Sequence, residues 1–205
     1  MSGVFEKWWL TSVAAAATVV GRRRTALDAW RRIVALSPDD LNARATLGNL
    51  LAENGQHDAA MAIFRRILDR DPARAESWFN LGFLLEKRDE LTEAERCFRR
   101  AVELDAKLDR AWYGLGLTLI RLDRLTEALE ALQRTTELQP FSPFGWYQLG
   151  MTHHHLGHAS EAQRIYLSLR KFEPRYAATL KRDLQQTPSR RRAPQADTTE
   201  EAPCS

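Results

Sequence analysis

The feature that most limits what this chain can fold into is a spacing. Trp78, Trp112 and Trp146 stand 34 residues apart, and so do Gly48, Gly82, Gly116 and Gly150. Extending that frame in both directions divides residues 7–176 into five units without an insertion: 7–40, 41–74, 75–108, 109–142 and 143–176. A second site carries Ala26, Ala60, Ala94, Ala128 and Ala162, and a third the large residues Trp30, Phe64, Phe98, Leu132 and Tyr166. Each unit closes on Pro38, Pro72, Ala106, Pro140 or Pro174. A period of this length is that of a helix–turn–helix unit, which cannot bury its apolar side alone and must stack on its neighbours.

The residue types explain themselves physically. A small residue at Gly82 on the first helix and Ala94 on the second lets the two helices approach, and Phe98 fills the space between them and reaches the next unit. Proline cannot donate a backbone hydrogen bond, so Pro72 or Pro140 is expected to end the second helix. Asp58, Thr92, Thr126 and Ser160 share one position and are expected to cap the second helix, with Thr92–Glu95 and Ser160–Gln163 as capping boxes. The first two units depart most from the pattern: Leu10 and Arg44 replace the tryptophan, Ala14 replaces the glycine, and Arg24 stands at the cap position. Terminal units of a stack lack one neighbour and are commonly atypical.

These residues resemble the tetratricopeptide repeat (TPR) family, and the resemblance covers residues 7–176. It implies an all-α, right-handed α-solenoid of five helix–turn–helix units. A C-terminal capping helix follows at 177–186, and the Pro- and charge-rich residues 187–205 are expected to be a disordered tail. The chain looks like the small stand-alone TPR proteins of bacteria. The resemblance further implies a non-catalytic scaffold or adaptor that holds a peptide or helix of a partner protein in a concave groove. Carried onto this register, the groove positions are Phe79, Phe83, Glu86 and Lys87 in unit three, Arg110, Tyr113, Leu117 and Arg121 in unit four, and Phe144, Tyr147, Met151 and His154 in unit five. Aromatic, methionine and arginine side chains gathered on one solvent-facing surface mark an interaction site. Phe79, Phe83, Tyr113, Tyr147 and Met151 are expected to be apolar anchors and Arg110 and Arg121 polar selectors. The carboxylate clamp by which some TPR domains hold a peptide C-terminus is incomplete. Asn49, Asn80 and Arg110 match, but Ala45 and Gly114 stand where two further cations belong.

Composition narrows the remaining readings. The chain of 205 residues carries a net charge of only +3, too little to argue for nucleic acid. Its two cysteines, Cys97 and Cys204, make no disulfide framework and suit free thiols in a reducing, cytoplasmic compartment. No phosphate loop, nucleophile elbow, zinc motif or dinucleotide fingerprint occurs, so neither catalysis nor a cofactor is expected. His153, His154 and His155 point in different directions on a helix; His154 and His158 have a ligand spacing, but no adjacent acid completes a set and no metal is expected. An enzyme using His153–His158 is the least favoured reading. The apolar run Trp8–Gly21, followed by Arg22–Arg24, is too short for a membrane span of about 18 or more apolar residues. Its residues fit the repeat register, with Trp8, Trp9, Leu10 and Val13 either buried on unit two or left exposed for a partner. A membrane-associated assembly factor using this helix is the alternative.

Overall fold

The computed structural model describes residues 2–186, apart from the side chains of residues 2–4 and 18. The expectations for residues 187–205, with Arg190–Arg192 and Cys204, lie outside the described residues. Eleven helices are found among the described residues: α1 (Ser2–Val19), α2 (Arg23–Leu36), α3 (Leu41–Glu53), α4 (His57–Arg70), α5 (Ala75–Lys87), α6 (Leu91–Leu104), α7 (Asp109–Arg121), α8 (Leu125–Leu138), α9 (Pro143–His155), α10 (Ala159–Phe172) and α11 (Pro174–Gln186). The chain forms two compact units that divide between Asp123 and Arg124.

In the first unit α1 packs on α2, α3 on α4 and α5 on α6, while α7 packs on α6. The first helices of successive repeats also touch, α3 with α5 and α5 with α7. Small residues set these distances. A Cβ at Gly48 would stand 2.9 Å from the Phe64 ring, and one at Gly82 3.1 Å from the Phe98 ring. Phe64 and Phe98 are accordingly fully buried.

The turn inside each repeat is built by its backbone. Gly21, Gly55, Asp89, Asp123 and Gly157, again 34 residues apart, all have positive φ, a conformation that glycine adopts freely and aspartate more readily than most. The next amide then reaches back five residues: Gln56 donates to the Leu51 carbonyl at 2.9 Å, Glu90 to Leu85 at 3.0 Å and His158 to His153 at 2.9 Å. This closure satisfies carbonyls at the end of the first helix and starts the second helix earlier than expected. The capping assignment is corrected accordingly. Asp58, Thr92, Thr126 and Ser160 are each the second residue of a helix, and no side chain caps α4, α6, α8 or α10. Ser160 Oγ instead lies 2.7 Å from Glu161. A side-chain cap does occur at Asp40, whose carboxylate accepts from the amides of Asn42 at 3.1 Å and Ala43 at 3.0 Å. The Ala43 amide and Lys7 hold its carboxyl below the usual range.

The turn between repeats explains the tryptophans. Indole Nε1 of Trp78 donates to the Pro72 carbonyl at 2.9 Å, that of Trp112 to Ala106 at 3.0 Å and that of Trp146 to Pro140 at 2.8 Å. In unit two Arg44 takes the same part, its Nε donating to the Pro38 carbonyl at 2.8 Å. The second helices α4 and α8 end at the cap residue just before Pro72 and Pro140, as expected, but proline is not required, because α6 stops two residues before Ala106 in the same way. Pro174 and Pro143 are first residues of α11 and α9, where a missing N–H costs nothing.

In the second unit α8 packs on α9, α9 on α10, and α11 against both α9 and α10. Leu180 of α11 is fully buried over Gly150, where a Cβ would meet it at 2.9 Å. The terminal helix therefore stacks on the last pair, as expected of a cap.

Candidate functional site

The first helices of three successive repeats, α3, α5 and α7, enclose an open hollow of about 420 Å³ within the first unit. Its floor is Phe79 and Phe83, one turn apart on α5 with ring centroids 6.3 Å apart. Phe79 leans on the buried Phe98 at 6.1 Å, whereas Phe83 remains 43% exposed. Asn49, Ala52 and Glu53 of α3 and Asn80 and Arg110 complete the wall. The two asparagines are joined, Asn80 Nδ2 donating to Asn49 Oδ1 at 3.0 Å.

The polar groups at the rim are mostly paired within the chain. Arg110 Nη2 donates to both oxygens of Glu76 at 3.0 Å, and its guanidinium lies 4.9 Å from the Phe79 centroid. Arg121 is bound by the carboxylates of Glu86 and Asp89 and donates to the Glu86 carbonyl at 3.1 Å. Lys87 holds its ammonium 4.5 Å from the Phe83 centroid. Asn49 and Asn80, the two asparagines that match clamp positions in the sequence, are thus brought together on neighbouring first helices. Tyr113 and Leu117 are half-buried on α7 and do not line the hollow. Gly114 has a packing role: a Cβ there would meet Phe98 Cζ at 2.7 Å, so the clamp cation is sterically excluded.

Phe144, Tyr147, Met151 and His154 lie on α9 in the second unit. Phe144 is 54% exposed and meets Tyr176 edge to face at 5.4 Å. The Tyr147 hydroxyl donates to Asp183 of α11 at 2.7 Å. Burial and that bond raise its pKa to about 12. Tyr147 thus offers a ring rather than a free hydroxyl. Met151 and His154 are half-buried.

Among the histidines the close pair is His153 with His158, not His154 with His158. The Nδ1 atoms of the first two are 3.3 Å apart because the Gly157 turn folds His158 back onto α9. Burial, then His158, lowers the pKa of His153, and Glu161 opposes the shift. An acid therefore does stand beside the pair. No group of three or more metal-ligating side chains that could hold an ion was found among the described residues. No helix among them is long and apolar enough to cross a membrane.

With fold and geometry in place, family models decide the relationship. A tetratricopeptide repeat model matches residues 20–81. A model of the middle TPR-like domain of cilia and flagella-associated protein 70 matches residues 51–173, more than half of the chain. The chain belongs to the TPR family. TPR proteins mediate protein–protein interactions, and the family is generally non-catalytic. Among solved structures, this TPR chain is similar to MamA, with 20% identity and a TM-score of 0.74 over 84% of this chain and 94% of that one. MamA from Desulfovibrio magneticus RS-1, from residue 41 to its end, is 19% identical with a TM-score of 0.71 over 87% and 96%. YrrB, described as a TPR protein with an unusual peptide-binding site, is 22% identical with a TM-score of 0.69 over 82% and 88%. At these identities the likeness establishes the fold. No curated protein matches the sequence.

Proposed function

We propose that this TPR protein is a non-catalytic adaptor, working in the cytoplasm, whose hollow between α3, α5 and α7 holds a segment of a partner protein. The observation that carries the reading is Phe83, a large aromatic left 43% exposed in a concave site beside the Asn49–Asn80 amides. An apolar partner side chain covering Phe79 and Phe83 removes that surface from water, at roughly 25 cal/mol per Å². Asparagine amides beside it supply donors and acceptors to an extended or helical backbone. Glu53 at the rim has no ion-pair partner among the described residues and favours a basic residue next to the apolar one. Arg110 and Arg121 hold the walls in place through their carboxylate partners. Tyr113, Leu117, Glu86 and Lys87 in the first unit, and Phe144, Tyr147, Met151 and His154 in the second, are further proposed contacts. The peptide-binding site of YrrB gives the reading a precedent on the same fold.

A phage-displayed library of random peptides panned on the full chain tests it, with counter-selection on a Phe83→Ala, Asn80→Ala variant. Enrichment of a shared apolar-plus-basic pattern that binds wild type and not the variant is the expected result. If enriched peptides bind both proteins equally, while the variant keeps its helical circular dichroism, the hollow is not the binding site.

A further inference from the structure

The hollow leaves unexplained the outward face of α1, which is packed on α2 and on no other helix among the described residues. Leu10, Ala14 and Ala17 face α2 and are buried. The opposite side presents Phe5 at 69% exposure, Trp8 at 64%, Trp9 at 51% and Val19 at 87%, with Ala15 and Ala16 exposed between them. At 3.6 residues per turn these positions fall in one continuous stripe, about 21 Å long at 1.5 Å per residue. The stripe carries no charge. Glu6 and Lys7, the charged residues of α1, lie off it and are paired with Arg32 at 2.6 Å and Asp40 at 3.0 Å. The Ser12 hydroxyl on the stripe is turned inward, 3.2 Å from the Trp8 carbonyl, and the neighbouring Thr11 hydroxyl is 2.8 Å from that of Lys7. Phe5 and Trp8 form an aromatic pair at 6.0 Å.

The stripe runs directly into positive charge. Ala16 and Val20 share a shallow hollow of about 340 Å³ with Arg22, so the apolar surface and the first arginine are contiguous. Arg23 and Arg24 follow, all three exposed and without an ion pair among the described residues.

We infer that the outward face of α1, with Arg22–Arg24 beside it, docks on the surface of an anionic phospholipid bilayer. Tryptophan and phenylalanine are suited to the boundary between headgroups and acyl chains. Arginines next to a submerged apolar face meet the phosphates and anionic headgroups there, each contributing about 1 kcal/mol near such a surface. A second copy of this chain is the weaker occupant. A two-fold contact would place the same stripe on both sides, and the stripe offers no carboxylate to three arginines. Docking through α1 is independent of what the hollow between α3, α5 and α7 binds.

Co-sedimentation of the full chain with vesicles tests the inference, comparing phosphatidylcholine alone with a mixture of phosphatidylcholine and phosphatidylserine. The chain is expected to pellet with the mixed vesicles, far less with phosphatidylcholine alone, and less as salt rises. Trp8→Ser with Trp9→Ser is expected to abolish pelleting, and Val19→Ser with Val20→Ser serves if the tryptophan variant does not fold. Replacing Arg22 by Ser and Arg23 and Arg24 by Gln is expected to weaken partitioning about fivefold per arginine, or about a hundredfold together. Retention in the supernatant with both vesicle types overturns the inference, as does pelleting unchanged by a folded stripe variant. Sedimentation velocity covers the remaining case: a dimer that the tryptophan variant dissolves, with no vesicle binding, assigns the face to a second copy and overturns it as well.

Discussion

Gly114 shows how a single position settles a question of function by packing. In the middle of a helix, alanine is favoured over glycine by about 1 kcal/mol. Here the added methyl would lie 2.7 Å from Phe98 Cζ and 2.8 Å from Cε1, and overpacking of a filled core costs about 1–3 kcal/mol. The steric term is the larger, so Gly114→Ala is expected to lower the urea midpoint. In a Phe98→Leu background the same change is expected to cost at least about 1 kcal/mol less, the coupling signature of two groups in contact. Equal costs in both backgrounds would mean that the ring does not occupy that space. The positions of Phe98 and Gly82 are legible as packing sites because every unit carries a large residue at the one and a small residue at the other, whereas Gly114 stands outside that pattern. The role of Arg44 is not legible in this way: it breaks the tryptophan pattern in name but supplies the same donor to the same carbonyl position, and donor geometry is invisible to residue type.

At the scale of the element, the hairpin of α9 and α10 carries a group that ties its stability to pH. His153, half-buried on α9, has His158 at 3.3 Å, and its pKa lies below its ordinary value of 6.5. The groups facing it are His158, which resists its protonation, and Glu161, which favours it. With the folded pKa depressed, the unfolded chain binds the extra proton in the window just below 6.5, so this group's contribution is present above that window and is lost as pH falls through it. Urea midpoints measured at about pH 7.5 and about pH 5.5 bracket the window. The loss of stability between them is expected to be smaller in His153→Gln than in wild type. An unchanged loss would show that His153 titrates freely in the fold. The sequence suggested His154 with His158, from helical spacing alone. The pair that forms depends on Gly157 ending the helix with a left-handed residue, so the partner follows from the turn and not from the spacing.

At the scale of the stack, ion pairs in the first unit span one repeat period. Glu76 with Arg110 and Glu86 with Arg121 are 34 and 35 residues apart and join first helices of consecutive repeats. Exposed pairs of this kind contribute little to stability, about 0–1 kcal/mol each. They do remove two arginines from the set available to a ligand. The stacking residues could be read from the sequence because the repeat imposes them on every unit. The exposed residues between them could be named as candidates, but their mutual pairing depends on how one repeat is laid on the next. Cys97 gives this stack a reporter of its own. Its side chain is 3% exposed on α6, and burial, then Glu93, pushes the thiol up to about 12. A reagent that attacks thiolates is therefore blocked twice, by access and by protonation, until α6 lifts away from α5. In a Cys204→Ser background the rate of alkylation at Cys97 counts those openings directly. It is expected to be about a thousandfold or more below that of an unfolded cysteine under native conditions, and to rise with denaturant along the slope of global unfolding. Alkylation at the rate of a free thiol would show that the middle of the stack breathes independently of the whole.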